Sequence, residues 1–330
     1  MNKSRILYFD VLRLMSMMAI IIVHIAALDM SAMYGTSEWP HLVIFNSLFR
    51  WGLPVFVMIS GAIFLDPQRD VTIGELYKKR IPRLLIAYLF WWIAYVPFRV
   101  LLKGQEFSMD NWLTPHVHLW FLPMMMGLYM VVPLLRPIVR EKRSLQYFIL
   151  LWFFLLTFAF VPVLAEPIGR LVIPLAIGNC GFFVLGYYLS HTSFTRRWRL
   201  ALYLMGIVSA VVIYVGTLSS SYAAGKPDFF FNDGRGPFYV FLSAAIFLFV
   251  KNHCDAVKPW IERMIDFVRK DLYGIYLVHL IFAMLLARPA IRHFASPLVI
   301  VPSLAVAIFV CSLFVVKIIR KIPILKKVVE

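Results

Sequence analysis

Three residues near the amino terminus combine reactive chemistry with an unfavourable setting. Asp10, Arg13 and His24 sit at the mouth of, or within, a segment that is otherwise almost wholly apolar from Val11 to Leu28. A charged side chain at membrane depth costs at least about 2.5 kcal/mol, and such groups usually face a polar cavity used by substrates, ions or protons. In a helix, the 11 residues from Arg13 to His24 advance about 16 Å and return to within roughly 20° of the same face. The two are therefore expected to point into one cavity at different depths. Asp10, three residues before Arg13, can pair with it and lessen its burial cost. A neutral imidazole at His24 can take the proton of a substrate hydroxyl as a general base, and the alternative is a histidine bonded to a neighbouring helix.

Other reactive groups recur along the chain. The string KKRIPRLL carries Lys78, Lys79, Arg80 and Arg83 into a further apolar segment. Ordinary anchoring at the cytoplasmic face requires positive charge there. The spacing adds a second use, because Arg80 and Arg83, with Lys79 beside them, flank Pro82 at an expected helix N-terminus. Two fork-shaped guanidinia and the helix dipole would attract a phosphate at that point. In HVHLWFL, His118 is either an interfacial histidine or a second polar group at the outer mouth of the cavity. YGIYLVH sets Tyr276 and His279 three apart on one face, where they can bond each other, a ligand hydroxyl or a neighbouring helix. Arg50, in FRWGLPVFVMISG, needs an acceptor or water, while Gly52 and Gly61 in the same string permit close helix packing. His118, Tyr276, His279 and Arg50 are thus the candidates for the substrate side, and Tyr129 and Pro133 read as packing and kink residues.

Composition dictates the scaffold that holds these groups. The chain is 62% hydrophobic with a mean hydropathy of +0.81, well above the apolar share of soluble domains, so it reads as an all-α, polytopic membrane helix bundle. About ten segments reach the roughly 20 apolar residues that a span requires: 8–28, 42–65, 83–102, 117–135, 145–165, 171–190, 200–219, 236–251, 272–288 and 298–316. The formal charge of +16 sits in short clusters between these segments, which excludes a nucleic-acid-binding face. With the N-terminus in the cytoplasm, 24 Lys and Arg fall on the cytoplasmic side and about seven on the other, so both termini are expected to be cytoplasmic. No loop is long enough for a separate domain, and residues 1–330 read as one integral membrane domain. Residues 257–269 have a helical apolar period and are expected to form an amphipathic helix on the inner membrane surface. The three cysteines show no paired spacing, so neither a disulfide framework nor a metal site is indicated. No GxxxxGK[ST], HExxH or GxSxG string is present, which leaves nucleotide, zinc and serine hydrolysis without support.

In chain order, DVLR followed by His24, then PVFVMISG, RIPR, HLWFL and GIYLVH resemble the acyltransferase 3 family of integral membrane acyltransferases. The short chain without an attached soluble domain is similar to its single-domain, WecH-like branch. The resemblance implies transfer of an acyl group, usually acetyl from cytoplasmic acetyl-CoA, to a hydroxyl on a surface glycan or its lipid-linked precursor, in a bacterial inner membrane. It implies that His24 is the catalytic histidine, Arg13 the essential intramembrane arginine and Arg80 with Arg83 the cytoplasmic RxxR pair for the CoA phosphates. His118, Tyr276 and His279 fall in matching motifs. The competing expectation is a glycan exporter or flippase that uses the same cavity as a passage and does no acyl transfer.

Overall fold

A computed structural model describes residues 6–103, 116, 118–160, 178–234, 236–293 and 295–329, and their regular structure is entirely helical. The apolar run that carries the reactive trio forms α1, Leu7–Leu28. It is one unbroken helix, because in a bilayer each backbone N–H and C=O must find its partner within the segment. The expected span 42–65 corresponds to one candidate span, Trp39–Phe64, made of two helices, α2 (Trp39–Leu48) and α3 (Gly52–Phe64). Pro54 falls in the first turn of α3, where its missing N–H costs nothing, so the chain restarts there.

The basic string departs from expectation in an informative way. A helix begins at α4 (Ile73–Glu75), where the Thr72 side chain accepts the Glu75 N–H at 3.0 Å, and passes through a π-helical turn (Leu76–Arg80) into α5 (Ile81–Lys103). The wider turn accommodates Pro82 without ending the helix. Arg80 and Arg83 therefore lie inside a continuous helix, and its dipole gives them no N-terminal anion site. The remaining helices are α6 (Phe121–Arg140), α7 (Lys142–Phe160), α8 (Cys180–His191), α9 (Arg196–Ala224), α10 (Pro237–His253), α11 (Pro259–Val268), α12 (Leu272–His293), α13 (Pro297–Ile319) and α14 (Pro323–Lys326).

Among the described residues, seven spans are long and apolar enough to cross a membrane, or eight if α11 and α12, bent by 74°, form one broken span. The expected count of ten rests also on 145–165 and 171–190, whose residues 161–177 lie outside the described residues, as do Lys3, Arg5, Arg170 and Arg235 of the charge count. α11 has the expected amphipathic pattern, burying Ile265 and Val268 while exposing Trp260, Met264 and Phe267.

Helices in lipid gain little from hydrophobic burial against each other, so close packing and polar contacts hold them together. One apolar cluster joins α3, α6, α7, α8 and α10 through Val57, Val132, Trp152, Phe183 and Phe247, and another joins α1, α2, α5, α12 and α13 through Ile21, Leu42, Ala87, Ile275 and Ile308. α1 packs against α2, α3, α10, α12 and α13 and so lies between the two. α3 and α8 touch backbone to backbone. A Cβ at Gly61 would lie 1.7 Å from the Phe183 carbonyl oxygen, and one at Gly186 would lie 2.0 Å from that of Met58. On the outside, Leu134, Ile207 and Phe314 are exposed apolar side chains of the kind that lipid covers.

Candidate functional site

α1 sets reactive groups at two levels. At its amino-terminal end Arg13 Nη1 donates to Asp10 Oδ1 at 2.8 Å, the pairing expected from their spacing. Near its other end His24 Nδ1 lies 2.9 Å from Nε2 of His279 on α12. The bonds around this pair decide which nitrogens carry protons. His279 Nδ1 faces the Tyr276 carbonyl oxygen at 2.6 Å, and a carbonyl only accepts, so Nδ1 holds the proton. Neutral His279 then has its lone pair on Nε2, and His24 Nδ1–H must donate to it. That leaves the lone pair of His24 on Nε2. His24 is half-buried whereas His279 has no exposed surface, so the imidazole left within reach is the one able to accept a proton.

The same corner gathers more of the predicted residues. The Tyr276 hydroxyl donates to the His118 carbonyl, and the ring centres of His118 and His279 are 5.6 Å apart. His118 Nδ1 meets His116 Nδ1 at 3.1 Å, and Tyr95 on α5 lies against both rings while its hydroxyl donates to the Leu277 carbonyl at 2.7 Å. Arg50 stands next to this group rather than in it. Its Nε and Nη2 both donate to Asn46 Oδ1, at 3.1 and 2.9 Å, and Asn46 in turn bonds the Val23 carbonyl, one residue before His24. Asn232 also donates to Asn46, at 2.7 Å, which ties the loop around Asn232 to the same end of α1.

The cationic residues converge on a cavity of about 700 Å³. Arg13, Arg69, Arg80 and Arg83, from the first 83 residues, line it together with Arg269, Lys270 and Arg320, from the last third of the chain, with Asp70 and Glu75 as lining carboxylates. Arg80 donates through Nε and Nη2 to Glu75, at 3.1 and 2.7 Å, and the Arg83 guanidinium lies 5.8 Å from the centre of the Tyr273 ring. Ile20 and Tyr276 also line the cavity. Along α1 it thus extends from Arg13 to Ile20, about 10 Å, and Ile20 is one turn short of His24. Tyr276 joins the two levels. Its side chain lines the cavity and its carbonyl orients His279, the partner of His24.

The structure therefore brings together His24, His118, Tyr276 and His279 at one level and Arg13, Arg80 and Arg83 at the other. His24 itself does not line the cavity that Arg13 lines, and Asp10 reaches it only through Arg13. Lys79 is exposed and is not among the lining residues. Tyr129, read as a packing residue, does line it. The sequence reading missed His116, Tyr95, Arg69, Tyr273, Arg269, Lys270 and Arg320. His116 was visible in HVHLWFL as a neighbour of His118, whereas the others join the site only through tertiary packing. Among the described residues no three His, Cys, Asp or Glu groups converge as a metal would require.

No curated protein and no solved structure gave a significant match to the chain. A family model for the acyltransferase 3 domain, described as an acyltransferase domain, matches residues 6–316. With a match over nearly its whole length, the chain belongs to the acyltransferase 3 family of membrane acyltransferases.

Proposed function

We propose that the protein transfers an acetyl group from cytoplasmic acetyl-CoA to a hydroxyl of a cell-surface glycan or its lipid-linked precursor, as a multi-pass protein of the bacterial inner membrane with both termini in the cytoplasm. One observation carries this reading: a single cavity begins among arginines and ends at Tyr276, against the His24–His279 pair. Arg80 and Arg83 hold CoA phosphates at the rim, since guanidinium forks bind phosphate oxygens through paired, charge-assisted bonds. Lys79, exposed beside them, contributes charge to the approach and no contact. Arg13, held by Asp10, guides the arm carrying the thioester past Ile20.

One turn beyond Ile20, past the inner end of the cavity, His24 Nε2 takes the proton of the acceptor hydroxyl as its oxygen attacks the thioester carbonyl carbon. The imidazolium that forms is stabilised by its Nδ1–H bond to His279. Arg50, fixed by Asn46, supplies positive potential for the oxyanion of the tetrahedral intermediate. When that intermediate collapses, the C–S bond breaks, and His24 returns the proton to the departing CoA sulfur. His118 and Tyr276 shape the acceptor end.

Purified protein given labelled acetyl-CoA and lipid-linked glycan should release CoA thiol and add the mass of one acetyl group to the glycan. His24→Ala should remove both signals while the protein stays folded in detergent. Full transfer by His24→Ala would reject His24 as the base. Movement of unmodified glycan across the membrane, with no CoA consumed, would reject acyl transfer as its activity.

A further inference from the structure

The cavity is lined by two sets of cations from distant parts of the chain, and the contacts assigned to acyl-CoA use only one set. Arg269 and Lys270 occupy the bend between α11 and α12 and line the same cavity as Arg80 and Arg83. Both lining carboxylates, Asp70 and Glu75, belong to the Arg80 set. In the other set Arg320 is tied to Asp271, which Lys317 also approaches at 3.0 Å, and Arg269 bonds the exposed Asp266 at 3.0 Å. An exposed pair of that kind is weak and readily exchanged for a phosphate. One turn further along, Tyr273 also lines the cavity beneath the Arg83 guanidinium, and its buried hydroxyl has no hydrogen-bond partner among the described residues. Leaving a buried hydroxyl unbonded is costly, and a ligand oxygen there would remove the cost.

Two sets of cations on one cavity suit a ligand with two anionic groups. Coenzyme A has both, a 5′-diphosphate next to its pantetheine arm and a 3′-phosphate on the ribose. With acyl-CoA as the donor, the reading on which this second site rests, we infer that Arg269 and Lys270, with the Tyr273 hydroxyl, take the 3′-phosphate of coenzyme A, while Arg80 and Arg83 take the diphosphate. Position along the helices decides which set takes which group. Arg83 lies on a helix that continues inward, beside the path the arm must follow, and its guanidinium stands over the Tyr273 ring. Arg269 and Lys270 precede the first residue of α12, Leu272, and so stay at the rim with the ribose.

Acetyl-CoA and acetyl-dephospho-CoA, which lacks only the 3′-phosphate, separate the two sites. The unaltered protein should require about tenfold or more of the dephospho donor for half-maximal rate, the size of one lost charge-assisted contact. The double variant Arg269→Gln, Lys270→Gln should need equally high concentrations of either donor, with the maximal rate preserved. Arg263→Gln removes a charge from α11 away from the cavity and should keep the preference, and the charge-retaining Arg269→Lys, Lys270→Arg pair should keep most of it. If the double variant still prefers acetyl-CoA tenfold, or the unaltered protein shows no preference, the second site is wrong and the acyl-CoA reading stands. If the unaltered protein uses neither donor, both fall.

Discussion

His24 and His279 act as one unit, because the proton on His279 Nδ1 is fixed by the Tyr276 carbonyl and this forces His24 to present its lone pair at Nε2. If His24 is the proposed general base, replacing it by Ala should cost roughly 10²- to 10⁴-fold in rate. His279→Ala is expected to act differently. It removes the acceptor that holds the His24 ring and stabilises its charged form, about 1.5–3 kcal/mol for a bond to a charged group, which corresponds to a loss of roughly 10- to 150-fold in kcat. KM for acyl-CoA should change little, since His279 is one bond removed from any substrate. His279→Gln places an amide oxygen where Nε2 was and should recover much of the rate. Steady-state kinetics of both variants tests this, and a loss confined to KM, or equal losses in both variants, would refute the relay. This part of the site was only half legible. His24 and Arg13 were marked by the cost of polar groups in an apolar helix, and the Tyr276–His279 spacing placed both on one face. That the latter face meets α1 could not be read, because His24 and His279 are 255 residues apart and helical period says nothing about which helices are neighbours.

Among the helices, hydropathy located the segments but not their interruptions. Apolar runs reveal α1, α9 and α13 because their lengths match the bilayer. The break between α2 and α3, and the π turn before α5, arise from where Pro54 and Pro82 fall within a turn, which a hydropathy window averages away. The α3–α8 contact was hinted at by Gly61 and completed by Gly186, a residue in a different apolar string. This contact supports a sharp pair of stability predictions. Gly186→Ala would drive a methyl group to 2.0 Å from the Met58 carbonyl oxygen and must push the helices apart. Gly127→Ala, on α6, meets no atom within 4 Å and should stabilise its helix by about 0.5–1 kcal/mol. Thermal melts in one detergent should show a clear fall for the first and no fall for the second. Equal melting temperatures would mean that α3 and α8 do not pack this closely.

For the whole molecule, the sorting of charge and chemistry to opposite ends sets its sidedness. The cavity is rimmed by Arg69, Arg80, Arg269 and Arg320, from three separate segments that the charge count assigned to the same face as the N-terminus. At the other end the loop after α1 meets the last turn of α9, with the Tyr34 hydroxyl donating to the Ser221 carbonyl at 2.9 Å. Positive charge is retained on the cytoplasmic face, so the cationic rim is expected there and the His24 end outside. In sealed vesicles with the rim outward, acetyl-CoA added outside should be consumed only when a glycan acceptor is enclosed. Enclosing the donor and adding the acceptor outside should give no transfer. Orientation can be read independently in a variant free of Cys180, Cys254 and Cys311 that carries one new cysteine, by Lys258→Cys at the rim end or Lys226→Cys at the far end. A membrane-impermeant thiol reagent should label one of these from each side and never both. On the proposed reading, in which exposed arginines and a lysine take the donor phosphates at the rim, the donor should also bind less tightly as salt rises, because ions screen these contacts. Transfer with donor and acceptor on the same face would place the reacting end on the rim side of the membrane and separate it from His24.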